Sequence, residues 1–458
     1  MDTYGRLYRH VLYPLWESVL RQRPTLDLVR YLEQTQWRSL DELLAVQAGD
    51  LRRLLRHAHA NVPFYRRRFE AAGVTPDDIR GPDDLAKLPI LTRDEARGAG
   101  DERVATAGAT LDIRKATSGT LGTPLSFGYD APSEYWRQAI RLRGYGWAGY
   151  RPGLRALHYW GAGPPNSTRW KRAKVSADHA LRRDRYVDCG RRGPEELQRV
   201  VELIAADKPD IIICYSQAGA DLARFVVGGN LRRWDSIPVI CGAERLLPAD
   251  RAVMNEAFGP DVFETYGSRE VMLMATECAA HDGLHVQMEN LIVEVVVREG
   301  NGRGPVVRPA KPGELGEVVV TDLHNLAMPF IRYATGDLAA PAPAGVCRCG
   351  RMHPRLATVE GRVTETLVDG AGNRVNGLVF NVVIAHLAHA IRNFQVVQHR
   401  DRSITLRIVP SETFDAGIES VLRQTWERYL PGVPVTIVRV AEIPIATSGK
   451  RQVVTVER

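Results

Sequence analysis

The sequence predicts an α/β protein: a large N-terminal domain built on parallel βαβ units, with a β-rich subdomain, followed by a small α+β C-terminal domain. Three observations carry this expectation. The runs DIIICYS (210–216), IPVICGAE (237–244) and DVFETYGS (261–268) are nearly continuously apolar and of strand length, and single amphipathic stretches, AGADLARFVVGG and PADRAVMNEAFG, separate them. Strands apolar on both faces and joined by one helix each imply a parallel sheet covered on both sides. Beyond residue 285 the runs LHVQMENLIVEVVV, GELGEVVVTDL and FIRYATGDLA are linked by the turn-rich EGNGRGP and KPGELG, which predicts antiparallel strands. After EGRVTETLVDGAGN a new mixed pattern begins, which divides the chain into residues 1–362 and 363–458.

The start of the chain, residues 1–105, reads as helical. Leu40, Leu43, Leu44, Leu51, Leu54 and Leu55 recur at helical intervals until Pro63 interrupts them. Further upstream, Leu7, Val11, Leu15 and Val19 form an apolar stripe that is expected to pack on the main domain, with interfacial membrane contact as the alternative.

With 44% hydrophobic and 25% charged residues over 458 positions, the chain has the composition of a globular protein with a sizeable core. The net charge of +7 comes from arginine spread over the whole length. That suits anionic small molecules and lacks the concentrated stripe of a nucleic-acid binder, so no nucleic-acid partner is expected. No uninterrupted apolar run is long enough to span a bilayer, and the first twenty residues carry charges and a proline where a signal peptide needs an apolar centre. A cytoplasmic protein without integral membrane contact is expected. Oligomeric state is open, a homodimer being the commonest arrangement.

Six cysteines are scattered too thinly for a disulfide framework. Cys278 and His281 form C-x-x-H, and Cys347 and Cys349 form C-x-C. Thiolate and imidazole donors at these spacings fit a closed tetrahedral zinc site of structural type, with His285 as the substitute for His281.

The parallel strands end in polar or small residues, Tyr215-Ser216, Gly242-Ala243-Glu244 and Tyr266-Gly267, and ligands collect at such carboxyl ends. The turn TSGTLGTP (117–124) offers glycines for close backbone approach and hydroxyls for an anion. RYATGD (332–337), Gly361-Arg362 and ATSGK (446–450) complete the set.

In this order and spacing the motifs resemble the class I adenylate-forming enzymes. Within them GAE, the EC…GLH stretch (277–285) and CRCGRMHPR (347–355) are most similar to the phenylacetate-CoA ligase family and its capsule-biosynthesis relatives. The resemblance runs from about residue 40 to the end. It implies that Thr117, Ser118, Gly119, Thr120 and Gly122 grip phosphates, that Tyr266 stacks on adenine beside Gly242, Ala243 and Glu244, and that Gly267 and Ser268 line the same nucleotide. It implies further that Glu270 holds Mg²⁺, that Asp337 binds the ribose hydroxyls, that Arg362 lies near ribose and phosphate, that Glu365 is the hinge of a mobile C-terminal lid, and that Lys450 reaches the carboxylate and α-phosphate. Two positions depart from the usual pattern: Thr123 stands where a lysine is common, and Arg269 where a hydroxylated residue precedes the glutamate.

The reaction so implied joins a carboxylic acid, aromatic by expectation, to ATP with pyrophosphate release and then passes the acyl group to coenzyme A. An amine or a carrier-protein thiol is the alternative acceptor, and a non-catalytic nucleotide-binding protein is the remaining reading. Tyr159, Trp160, Tyr215 and Ser216 are the candidates for the acid pocket.

Overall fold

The computed structural model describes residues 2–116, 125–161, 169–189, 192–301, 304–362, 366–370, 374–376, 387, 390–443 and 454–457. The described chain up to Arg103 is helical, through α1 (Thr3–Leu7), α2 (Thr25–Thr35), α3 (Leu40–Asn61), α4 (Pro63–Ala72) and α5 (Arg93–Ala99). Local chemistry sets the bounds. A capping box between Ser39 and Glu42 opens α3, Pro63 begins α4 where its missing N–H costs nothing, and Gly73 ends α4 at a left-handed φ of 65°. The buried face of α3, including Leu51, Leu54 and Leu55, packs into one apolar core with Val318, Val320 and Phe330.

The strands are β1 (Ile113–Ala116), β2 (Ser126–Tyr129), β3 (Ala156–Trp160), β4 (Asp184–Asp188), β5 (Ile211–Tyr215), β6 (Val239–Gly242), β7 (Val262–Ser268), β8 (Met272–Glu277), β9 (Leu284–Val286), β10 (Leu291–Asn301), β11 (Gly304–Pro309), β12 (Gly316–Asp322), β13 (Tyr333–Pro341) and β14 (Arg355–Arg362). Between them run α6 (Ala131–Trp147), α7 (Arg169–Arg182), α8 (Pro194–Asp207), α9 (Ser216–Gly228) and α10 (Pro248–Phe258). Twelve of these strands form one sheet in the order β11-β10-β12-β13-β14-β9-β8-β7-β6-β5-β3-β4. From β4 to β7 all pairings are parallel, and from β7 outward they are antiparallel. The expected β-rich part therefore continues the parallel sheet edge to edge, and β7 is the seam. β1 and β2 form a separate antiparallel pair with Ala116 opposite Ser126.

Past Leu367, β15 (Thr366–Val368) pairs with β16 (Arg374–Asn376), and β17 (Ile391–Gln398), β18 (Ile404–Pro410), β19 (Val435–Arg439) and β20 (Val454–Val456) form a four-stranded sheet against the helix Ala416–Tyr429. Leu406, Leu422 and Trp426 belong to an apolar cluster whose described members all lie between Leu367 and Val456.

One expectation fails. Leu7, Val11, Leu15 and Val19 are 47%, 50%, 45% and 61% exposed, so the stripe faces outward. The inward positions are Gly5, Tyr8 and Glu17. The segments Tyr8–Leu12 and Leu15–Leu20 bond from i to i+5, as in Arg21 N–H to the Trp16 carbonyl at 3.0 Å. Such turns take more residues than the 3.6 of an α-helix, so residues four apart stay nearly in line on one side. No described helix is long and apolar enough to cross a membrane.

Candidate active site and metal cluster

The carboxyl ends of β5, β6 and β7 are bound to one another through side chains. The Ser216 hydroxyl donates to the Glu244 carbonyl at 2.7 Å, and the Thr265 hydroxyl donates to the Cys241 carbonyl at 2.7 Å. The Glu244 carboxylate accepts the Gln217 N–H at 3.2 Å at the start of α9, where the exposed amides and the helix dipole favour an anion. Gly242 is tight: a Cβ there would lie 2.8 Å from the Thr265 hydroxyl and 3.4 Å from the Trp160 ring. Ala243 follows at a φ of 65°, which turns the chain sharply away from the strand. At Gly267 any side chain would collide with the Met272 carbonyl, because a bulge brings β8 against β7 there.

The antiparallel half brings charge to the same place. The Tyr266 hydroxyl donates to the Asp337 carboxylate at 2.9 Å, linking β7 to β13, and Asp337 stands opposite Arg362 in the backbone register of β13 and β14. Burial, reinforced by the Asp337 charge, holds the Tyr266 phenol protonated. Glu270 is nearly buried, its carboxylate accepting from Arg93 at 3.2 Å and from the Tyr333 hydroxyl at 3.3 Å, while its carbonyl accepts from Arg137 at 2.9 Å. Arg245 pairs with Glu360, tying the turn after β6 to β14.

The sequence candidates for the acid pocket separate. Trp160 and Tyr215 meet edge to face with centroids 4.5 Å apart, whereas Tyr159 points through the opposite face and is fully buried. Trp160 also lines a cavity of about 320 Å³ shared with Tyr13, Arg141, Tyr145, Tyr150 and Tyr186.

Away from this cleft, Cys278, His285, Cys347 and Cys349 place their ligand atoms within 4.8 Å of one another. Cys278 and Cys347 sulfurs are 3.8 Å apart, and Cys349 sulfur lies 3.4 Å from His285 Nε2. The fourth partner is His285 and not His281. His281 sits in a turn at a φ of 48°, with Nδ1 3.4 Å from Arg251 and 3.5 Å from Glu277. Burial lowers the His285 pKa to about 3, leaving the neutral imidazole that a metal requires. Three sulfurs and one nitrogen suit zinc. Beside it the buried His353 bonds to Glu289 at 3.2 Å, and Arg143 holds the same carboxylate at 2.8 Å.

Thr117, Ser118, Gly119, Thr120, Gly122, Glu365 and Lys450 lie outside the described residues, and for Arg362 the description covers the backbone alone. Sequence reading missed Arg93, Arg137 and Tyr333. Tyr333 carried a signal, since it stands inside RYATGD, while an arginine in the first turn of a short helix carries none.

No protein-family model matches the chain. Among curated proteins it is 32% identical over 366 residues to a phenylacetate-coenzyme A ligase of Aromatoleum evansii, covering 74% of each chain. It is also 28% identical over 391 residues to the phenylacetate-coenzyme A ligase of Thermus thermophilus, covering 82% of this chain and 83% of that one. Among solved structures, a 2-hydroxyisobutyryl-CoA ligase in its postadenylation state superposes with a TM-score of 0.71 at 20% identity, over 93% of this chain and 92% of the other. With its strand-end cleft, its mixed sheet and relatives at this level, the chain belongs to the phenylacetate-coenzyme A ligase family of AMP-forming, adenylate-forming ligases.

Proposed function

We propose that the enzyme activates a carboxylic acid, aromatic in class, as an acyl-adenylate and then forms its coenzyme A thioester. The observation that carries this reading is the hydrogen bond from Tyr266 to Asp337 across the seam, beside the small residues that end β6. Asp337 is then fixed to accept both ribose hydroxyls, which only an ionised carboxylate does in this way, and Tyr266 and the Gly242-Ala243 turn make the two walls of the adenine slot. A side chain at position 242 would run into Thr265 and Trp160, so the slot needs glycine there.

Glu270 fits Mg²⁺ as a hard oxygen donor, and the ion supplies charge neutralisation at the phosphates. Arg93 holds the Glu270 carboxylate in place and adds positive charge where the phosphates gather. Lys450, from the second domain of residues 363–458, approaches the attacking carboxylate, because two anions react only where fixed positive charge meets them. Glu365 is the hinge about which that domain withdraws. Cys278, His285, Cys347 and Cys349 hold a zinc ion that tightens the loops after β8 and before β14; with four protein donors it is structural.

Support for an aromatic acid comes from Trp160. It forms one wall beneath Gly242 and meets Tyr215 edge to face, and aromatic lining suits an aryl group. The test is pyrophosphate release from ATP and Mg²⁺ over aromatic and aliphatic acids, with coenzyme A, with amines or with neither. Release that requires an aromatic acid and accelerates with coenzyme A is the expected result. Acceleration by amines alone would move the chain to amide synthesis. Release no greater than that of Lys450→Ala for every acid would sink the proposal.

A further inference from the structure

The outward face of the N-terminal helix has no role in the reaction. Leu7, Val11, Leu15, Trp16, Val19 and Leu20 are between 40% and 63% exposed and share one side of a rod about five turns long. Leaving six large apolar side chains in water costs free energy that a monomer normally avoids, so a contiguous face of this kind marks an interaction surface. The rod itself is firmly seated. Tyr8 is buried, Gly5 packs against Gly153, and Asp2 accepts two bonds from Arg183 at 2.7 and 2.8 Å. The outward orientation is therefore built in.

Charge selects the occupant. Between Thr3 and Arg23 the only acidic residue is Glu17, and it is turned inward, accepting from the Thr25 hydroxyl at 2.8 Å and facing Arg23 at 3.5 Å. The remaining charges on the rod are cationic: Arg6, Arg9, Arg21 and, when protonated, His10. Arg21 lies over the Trp16 ring at 4.6 Å, pairing an aromatic that favours the bilayer interface with a cation that favours its headgroups. The Tyr4 hydroxyl donates to the Leu181 carbonyl at 2.8 Å, so α7 adjoins the rod; α7 adds half-exposed Val175 and Leu181 and, at its far end, Trp170, 82% exposed in the sequence WKRAK. Apposing two copies of this face would set arginine against arginine, whereas an anionic lipid surface meets both the apolar row and the cations.

We propose that the N-terminal rod, continued by α7, docks the enzyme peripherally on an anionic phospholipid bilayer, with the apolar row in the headgroup boundary. The test is flotation of the full chain with phosphatidylcholine vesicles, with and without about one-third phosphatidylglycerol. The wild type is expected to float with the anionic vesicles and to dissociate as salt rises. The double variant Val11→Asp/Leu15→Asp is expected to partition about tenfold less, with unchanged melting temperature and pyrophosphate release. Arg6→Glu/Arg21→Glu leaves the apolar row intact and is expected to abolish the preference for anionic lipid, so it tests the idea even if the aspartate variant folds poorly. Failure of the wild type to float would overturn the proposal. So would flotation that neither variant weakens, or a solution dimer that Val11→Asp/Leu15→Asp converts to monomer, which would assign the face to a second copy.

Discussion

The two halves of the large sheet do different work. The parallel half, β3 to β7, contributes backbone: tight turns at Gly242 and Ala243, strand ends laced by Ser216 and Thr265, and a helix N-terminus at Gln217. The antiparallel half, β8 to β14, contributes charge and soft donors: Glu270 and Asp337 at the seam, and the Cys278, His285, Cys347 and Cys349 cluster further out. The lesson is that a parallel sheet makes a place and the antiparallel sheet equips it. Perturbing the cluster is expected to cost stability, and perturbing the seam is expected to cost nucleotide binding.

The largest effect is expected at the cluster. Cys347→Ser removes one of four donors and leaves a buried, uncompensated site, so zinc measured by elemental analysis should fall from about one ion per chain to none, with a stability loss of roughly 4 kcal/mol or more. Retention of full zinc and full stability would remove the cluster from the comparison. Next, Asp337→Ala should slow acyl-adenylate formation about a hundredfold, because hydrogen bonds to a charged group contribute roughly 1.5–3 kcal/mol each. Its melting temperature should change little.

A smaller, pH-dependent effect belongs to the seam strand itself. Burial, with the neighbouring Glu277 charge, raises the Glu264 pKa to about 7 from an ordinary 4.5. The fold therefore prefers protonated Glu264, and the associated stability is full below about pH 4.5 and is lost as pH rises through 7. Glu264→Gln should flatten this loss, raising stability at pH 8 relative to wild type by on the order of 1–3 kcal/mol. A wild-type stability that rises between pH 5 and 8 in step with the variant would contradict the assignment. Smallest is Tyr266→Phe, which deletes one hydrogen bond and keeps the ring, and should weaken AMP binding by about 1 kcal/mol, roughly fivefold.

Much of this was legible in the sequence. The parallel strands announced themselves because a strand buried on both faces is apolar at every position, as in Ile211–Cys214, and their ends stood out where that run broke. The cluster was legible by donor type and misread by one residue. Spacing favoured the histidine three positions after Cys278, but a turn at positive φ carries His281 toward Arg251, while β9 aligns His285 with the thiols. The outward apolar row was misread because a helical stripe shows that one side is apolar and not which way that side faces, and the seating of Gly5, Tyr8 and Glu17 turns it outward. Arg93 was illegible because its role depends on Glu270, 177 positions away.

The central claim is that the two halves of the sheet share one nucleotide site at the Tyr266–Asp337 contact. Calorimetric titration of AMP into the wild type, Asp337→Ala and Cys347→Ser tests it most directly. The account predicts saturable one-site binding by the wild type, at least about tenfold weaker binding by Asp337→Ala, and near-wild-type affinity in whatever fraction of Cys347→Ser remains folded. Equal affinity in the wild type and Asp337→Ala, or no binding by either, would contradict it.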